Sequence, residues 1–176
     1  MIITISGKPG AGKTTCAKIL AERLGSKHYS IGDMRGKLAE SKGLTIDGLN
    51  ELDDPNTHRE VDEFQEQVGK KENNFVMDGW LSWLFIPHAV NIFFDVDPDV
   101  AAKRIFSTER SADEPKYKTT EECKKIIEER YNITRAQTMK LYDGADLDNK
   151  ANFDFVIDTT NLTQEEVLDK ITEKLK

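Results

Sequence analysis

Apolar positions along this chain follow two rhythms. Short unbroken runs, rich in β-branched or aromatic residues, alternate with longer stretches whose apolar residues recur every three or four positions. The runs Ile2–Ser6, Lys27–Ser30, Asn74–Asp78, Val90–Val96 and Phe153–Asp158 read as strands. Between them, Ala17, Leu20, Ala21 and Leu24 give a helix over Lys13–Leu24 that Gly25 stops. Helical spacing and capping signals predict further helices over Asp33–Ser41, with Asp33 as its cap, and over Thr45–Leu52. Asp54-Pro55 opens a polar helix to about Lys71, and Asp97-Pro98 opens another in the same way. Two boxes of the form Thr-x-x-Glu, at Thr119 and Thr163, start a long helix to about Tyr142 and a C-terminal one. Five strands alternating with helices imply an α/β fold with a largely parallel sheet, and the continuous apolar strands imply burial on both faces. Residues 33–72 carry no strand signal and read as a helical lobe inserted into one domain spanning 1–176. The polar stretch around 107–118, which holds Pro115, reads as a lid.

Charge narrows the partners. Twenty-five Lys and Arg against 32 Asp and Glu leave a formal net charge of -7, which opposes a general nucleic-acid or anionic-membrane binder. No run is apolar for the roughly 20 residues a spanning helix needs. The N-terminus lacks the basic start and long apolar stretch of a secretory signal. With only two cysteines, Cys16 and Cys123, neither a disulfide framework nor a thiolate metal site is expected. A reduced, cytoplasmic monomer that handles small molecules is the expectation.

The chemistry begins at Gly7-Lys8-Pro9-Gly10-Ala11-Gly12-Lys13-Thr14, a full match to G-x-x-x-x-G-K-[ST] that leaves a strand and opens a helix. Glycines let successive N–H groups face one anion, and the helix N-terminus adds positive potential. In such a loop Lys13 reaches the β- and γ-phosphates, and the Thr14 hydroxyl, followed by Thr15, meets Mg²⁺. Lys8 either touches phosphate or points to solvent. The strand ending Phe75-Val76-Met77-Asp78 supplies a carboxylate suited to orienting Mg²⁺ through water. Gly79 follows it where motor-type ATPases place a water-polarising Glu, so the strand offers no hydrolytic base.

Transfer to a second substrate needs several cations around the moving phosphoryl group and shelter from water. Arg104, Arg110, Arg130 and Arg135 flank the lid. Arg130 and Arg135 stand five positions apart and diverge by about 140° on a straight helix. In the lobe, Arg35 sits where a cation opposes the helix dipole, which calls for an anionic partner. Asp62 and Gln65, at i and i+3, either read a base edge by hydrogen bonding or meet solvent.

Together with Ser30-Ile31-Gly32-Asp33-Met34-Arg35, Asp62-Glu63-Phe64-Gln65, Asp78-Gly79, Asp95-Val96-Asp97-Pro98 with Arg104-Ile105, and Phe153–Thr159, the chain resembles the nucleoside monophosphate kinases. It is most similar to archaeal-type cytidylate kinases and their cytidylate-kinase-like relatives. The resemblance spans nearly the whole chain. It implies the three-layer P-loop NTPase fold, with a five-stranded parallel sheet ordered 2-3-1-4-5, an acceptor lobe and a lid. It also implies transfer from ATP, with Mg²⁺, to CMP or dCMP. Lys13 would act on the phosphates, Arg104 near the donor adenine, and Arg110, Arg130 and Arg135 as phosphate clamps. Asp33, Arg35, Asp62, Gln65, Asp78, Gly79 and Trp80 would surround the acceptor. Two positions depart from the pattern: Trp80 stands where an arginine usually follows the acidic-Gly pair, and Gly36 where another arginine is common, with Arg35 one position earlier. These departures leave open a different acceptor (AMP, shikimate or a coenzyme precursor) or a nucleotide-binding assembly protein with little transferase activity.

Overall fold

The computed structural model describes residues 1–51, 55–108 and 117–176. Asp54, Arg110 and most of the expected lid therefore lie outside the described residues. Five parallel strands form one sheet: β1 (Ile2–Gly7), β2 (Lys27–Ser30), β3 (Phe75–Asp78), β4 (Val90–Asp95) and β5 (Phe155–Asp158), in the order β2-β3-β1-β4-β5. Its register brings Ile5 level with Asp78, Ser30 with Asp78, and Asp95 with Asp158. The carboxyl ends of all five strands thus share one edge, where open α/β sheets build their sites.

Helices cover both faces. On one, α1 (Lys13–Leu24) and α8 (Gln164–Lys174) bury Ala17, Leu20, Leu168 and Ile171 against Ile3, Ile5, Val76, Ile92 and Phe94. On the other, α2 (Ile31–Ser41), α4 (Pro55–Lys71) and α5 (Ser82–Phe85) bring Ile31, Val61, Val68 and Ile86 onto Phe75 and Met77. Strand alternation divides β3 between the two cores, with Val76 on one side and Phe75 and Met77 on the other. Burial pushes the Cys16 thiol up to about 11, against a weaker pull from Arg104, so Cys16 packs rather than reacts. A third cluster, Ala102, Ile105 and Cys123, joins α6 (Pro98–Ser107) to α7 (Thr120–Leu141). A short helix, α3 (Ile46–Glu51), completes the strand-free lobe between β2 and β3, and a 3-10 turn at Lys150–Asn152 precedes β5. Among the described residues, no helix is long and apolar enough to cross a membrane.

The helix starts show which local signals prevailed. Asp97 caps α6 by accepting from the Asp99 and Val100 amides, and Thr163 with Glu166 closes a complete box on α8. Thr119 caps α7, but Glu122 accepts from the Lys118 amide rather than from Thr119, so that box is not reciprocal. Asp33 is not the cap of α2. Ser30 accepts the Asp33 amide at 3.3 Å, the helix begins at Ile31, and β2 passes into α2 without a loop. Asp33 then lies in the first turn, where its charge still favours the helix dipole. The four-residue α5 has no capping signature, and the spacing of apolar residues does not announce it.

Candidate active site

β1 delivers the chain into the phosphate loop through two crowded glycines. A Cβ on Gly7 would lie 2.1 Å from the Phe94 carbonyl oxygen, and one on Gly10 would lie 2.8 Å from Ala101 Cα; both residues have positive φ. Loop and β4 are stitched by the Lys8 amide donating to Phe94 O at 3.0 Å. Gly12 precedes α1 in the left-handed region and offers no side-chain cap, so the first amides of α1 are open to an anion. Lys13 Nζ donates to the Lys8 carbonyl at 2.7 Å. Burial lowers its pKa to about 8, with Asp78 pulling the other way. A desolvated ammonium beside uncapped amides is the electrostatic counterpart of a phosphate chain.

Asp78, at the end of β3, is 3% exposed and is gripped from three sides. Thr14 Oγ1 donates to its Oδ2 at 2.7 Å, Ser30 Oγ donates to the same oxygen at 3.2 Å, and His28 Nε2 lies 2.7 Å from Oδ1. His28 escapes sequence reasoning, because its approach depends on β2 lying beside β3. Its one signal is its place two residues before Ser30, on the same face of β2. Among the described residues no group of three or more His, Cys, Asp or Glu side chains could hold a metal by itself. Thr14 and Asp78 fit a Mg²⁺ that phosphate oxygens and water complete.

Beside Lys13, Thr14 and Asp78 opens a cleft of about 260 Å³. Gly79 and Trp80, which follow β3, line it, as do Arg35, Asp62 and Gln65 of the lobe. α7 contributes Arg130, Gln137 and Thr138 to the lining, with Tyr142 at its end. Gly79 is fixed by Ser6 Oγ donating to its carbonyl at 2.6 Å and by its own N–H donating to Ile5 O at 3.1 Å. Trp80 meets the Tyr131 ring edge-on at 5.7 Å. Asp62 and Gln65 are not simply solvated. Tyr142 donates to Asp62 Oδ2 at 2.5 Å, and Ser82 Oγ donates to the buried Gln65 Oε1 at 2.8 Å. Burial raises the Asp62 pKa, opposed by the Tyr142 hydrogen bond and by Arg35. The Arg35 guanidinium is lowered mainly by burial; Asp62 opposes the shift, and Arg130 pushes the same way as burial. Arg35 and Arg130 thus bring two guanidinium groups to one cleft, which suits an anionic ligand.

Other expected site residues stand apart. Asp33 is exposed and does not line this cleft. Lys8 neither points freely to solvent nor faces the cleft: its ammonium pairs with Asp95 at 2.8 Å. Lys150 binds the same carboxylate. Burial works to raise Asp95, but hydrogen bonds from the two lysines outweigh it and hold the carboxyl below its ordinary range. Lys8, with Pro9 and Tyr131, lines a second hollow of about 260 Å³ on the α6 side of the loop. Ala11 is buried and Thr15 exposed. Arg104 is anchored on the turn after β5, donating to Thr159 O at 2.8 Å and Thr160 O at 3.3 Å. Arg135 grips Asp146 with two hydrogen bonds, at 2.5 and 2.6 Å, and stands 3.3 Å from Asp148, away from the cleft that Arg130 lines.

The profile of the cytidylate kinase-like family matches residues 2–161. The chain belongs to that family. Membership makes this cytidylate kinase-like protein a phosphotransferase of the kinase type. Among its curated relatives, a protein named cytidylate kinase from Archaeoglobus fulgidus is 33% identical over all of this chain and 95% of its own length. Another cytidylate kinase, from Sulfurisphaera tokodaii, is 32% identical over 95% of this chain and 91% of that one. A third relative, named S-adenosylmethionine-dependent nucleotide dehydratase, from Lacinutrix mariniflava, is 35% identical over 97% of this chain but only 35% of its own length. Among solved structures, a shikimate kinase from Bacteroides thetaiotaomicron superposes with a TM-score of 0.69 at 18% identity, covering 99% of this chain and 98% of that one. This likeness shows the shared P-loop fold.

Proposed function

We propose that this kinase transfers the γ-phosphoryl group of ATP to a nucleoside monophosphate, with CMP or dCMP as the acceptor. One observation carries the reading: the cleft that opens beside Lys13, Thr14 and Asp78 joins two arginines to a pair of hydrogen-bonding side chains in its lining. Arginines suit a monophosphate, and Asp62 with Gln65 suits a base. The cytidylate kinases among the relatives support the choice of acceptor.

On this reading the uncapped amides of Gly12 and α1 hold the triphosphate tail, and Lys13 leaves the Lys8 carbonyl to meet it. Thr14 and Asp78 would hold Mg²⁺, which supplies charge neutralisation across the phosphates. Arg35 and Arg130 orient the acceptor phosphate so that its oxygen meets the terminal phosphorus in line. Little covalent chemistry remains for the protein, so positioning and electrostatics carry the rate. Trp80 brings an apolar wall where related enzymes place a cation, which shifts the acceptor's anionic contacts onto Arg35 and Arg130.

The test is ADP release with ATP, Mg²⁺ and a panel of CMP, dCMP, UMP, AMP and shikimate. CMP or dCMP is expected to give the highest kcat/KM. An inert CMP beside an active AMP or shikimate would overturn the assignment. Tight ATP binding without turnover on any acceptor would make the protein a nucleotide-binding module instead.

A further inference from the structure

We infer that the Trp80–Tyr131 ring pair is a partition between the cleft and the second hollow, holding solvent back from the moving phosphoryl group so that it passes to the acceptor rather than to water. The inference rests on the reading of the cleft as the acceptor site, whichever acceptor enters it.

Two cavities of about 260 Å³ each border the phosphate loop, the cleft at Lys13 and Thr14 and the hollow at Lys8 and Pro9. Trp80 lines the first and Tyr131 the second. Their rings meet edge-on at 5.7 Å, a favoured aromatic geometry, so a single contact joins the two linings. Tyr131 is fixed in place. It is 8% exposed, and its hydroxyl donates to Asp148 Oδ1 at 2.7 Å. Burial, and after it that hydrogen bond, raises the phenol pKa, so the proton and the bond persist through neutral pH.

The hollow opens to solvent, since Pro98, Glu128 and Asn132 of its lining are exposed. An acceptor in the cleft shields the phosphoryl group on the acceptor's own side. The hollow has a separate lining, so on that side only protein can exclude water. A water that crossed would take the acceptor's place. Its oxygen would bond to the terminal phosphorus, the bond from that phosphorus to the bridging oxygen would break, and ADP would leave. Inorganic phosphate and a proton would go to solvent. Truncating Tyr131 would open a space bordered by Lys8, Asn132 and Asp148, enough polar groups to keep water in it. The ring fills that space with carbon. Neither ring has to touch the reacting atoms; both act by keeping water out.

The experiment measures inorganic phosphate released per ADP formed, with saturating ATP, Mg²⁺ and whichever acceptor of the panel gives the highest kcat/KM. It compares the parent with Y131A, Y131F and W80A, with thermal melts as folding controls. In Y131A phosphate per ADP should rise at least about ten-fold, because water gains a path that the acceptor does not block. Y131F keeps the ring and loses only the bond to Asp148, so its ratio should stay within about two-fold of the parent. W80A opens the same wall from the cleft side and should leak as well, which keeps the test standing if Y131A does not fold. A merely loosened fold would lower both products together and leave the ratio unmoved. An unchanged ratio in folded Y131A and W80A, or a Y131F that leaks as much as Y131A, would overturn the inference. Since the acceptor is chosen by activity, an inert CMP beside another active acceptor would overturn only the proposed function. Transfer to none of them would overturn both.

Discussion

Lys13 concentrates the behaviour of the site into one side chain. Its ammonium is parked on the Lys8 carbonyl and desolvated until its pKa falls to about 8. Replacing it with Ala should reduce turnover by at least about 100-fold, the scale of a single electrostatic donor in a dry site. Normal steady-state kinetics in K13A would remove Lys13 from the reaction. The depressed pKa also has a sign. Above pH 8 the unliganded loop keeps its amides and loses its cation, so affinity for metal-free ATP should fall by up to about ten-fold per pH unit. K13R, which stays protonated, should bind with a flat profile over the same range; calorimetry from pH 7 to 9.5 separates the two. Folding runs the other way. The unfolded chain keeps that proton up to about 10.5, so this group makes stability rise between pH 8 and 10.5. The loop was legible from sequence because its eight residues are contiguous and each has a local reason to be there. His28 and Ser82 were not, because each acts on a residue on another element: Asp78 from across the sheet, and Gln65 from α5.

At the scale of elements, α7 shows what periodicity can decide. Arg130 and Arg135 stand five positions apart, and the helix sends the first into the cleft and the second to Asp146 and Asp148. R130A should lower kcat/KM by at least about 100-fold. R135A should cost less than about ten-fold in kcat/KM and show instead as a lower melting temperature. Equal kinetic losses in the two variants would mean that Arg135 reaches substrate during turnover. Capping can be weighed the same way. The Thr163–Glu166 box is complete and closes an exposed helix end, so T163A should destabilise the protein by about 1 kcal/mol in urea unfolding without touching activity. Strands and long helices were readable because burial on two faces or one leaves a distinct rhythm. The start of α2 was not, since Ser30 and Asp33 are both good caps and only the direct passage from β2 selects the first.

For the molecule as a whole, the cleft borrows its walls from distant parts of the chain. The Tyr142–Asp62 hydrogen bond joins residues 80 positions apart, and Phe85 packs edge-on against Tyr142 at 5.7 Å. A ligand bridging the phosphate loop and this cleft therefore ties lobe, sheet and α7 together. A bisubstrate dinucleotide at 100 times its Kd should add about 2.7 kcal/mol to the unfolding free energy. ATP alone at the same saturation should leave the exchange of amide hydrogens in α4 unaltered. Slowed exchange in α4 with ATP alone would show instead that the lobe responds to the donor.

The crowding at Gly7 carries a lesson about the phosphate loop itself. With a neighbouring strand's oxygen 2.1 Å from where a methyl carbon would go, the first letter of the motif is dictated by the seam between β1 and β4, before any nucleotide arrives. A descendant that lost all affinity for phosphates would still have to keep that glycine in order to stay folded. The loop's opening residue is thus a record of sheet architecture, while Lys13 and Thr14 are the letters free to drift once catalysis is abandoned.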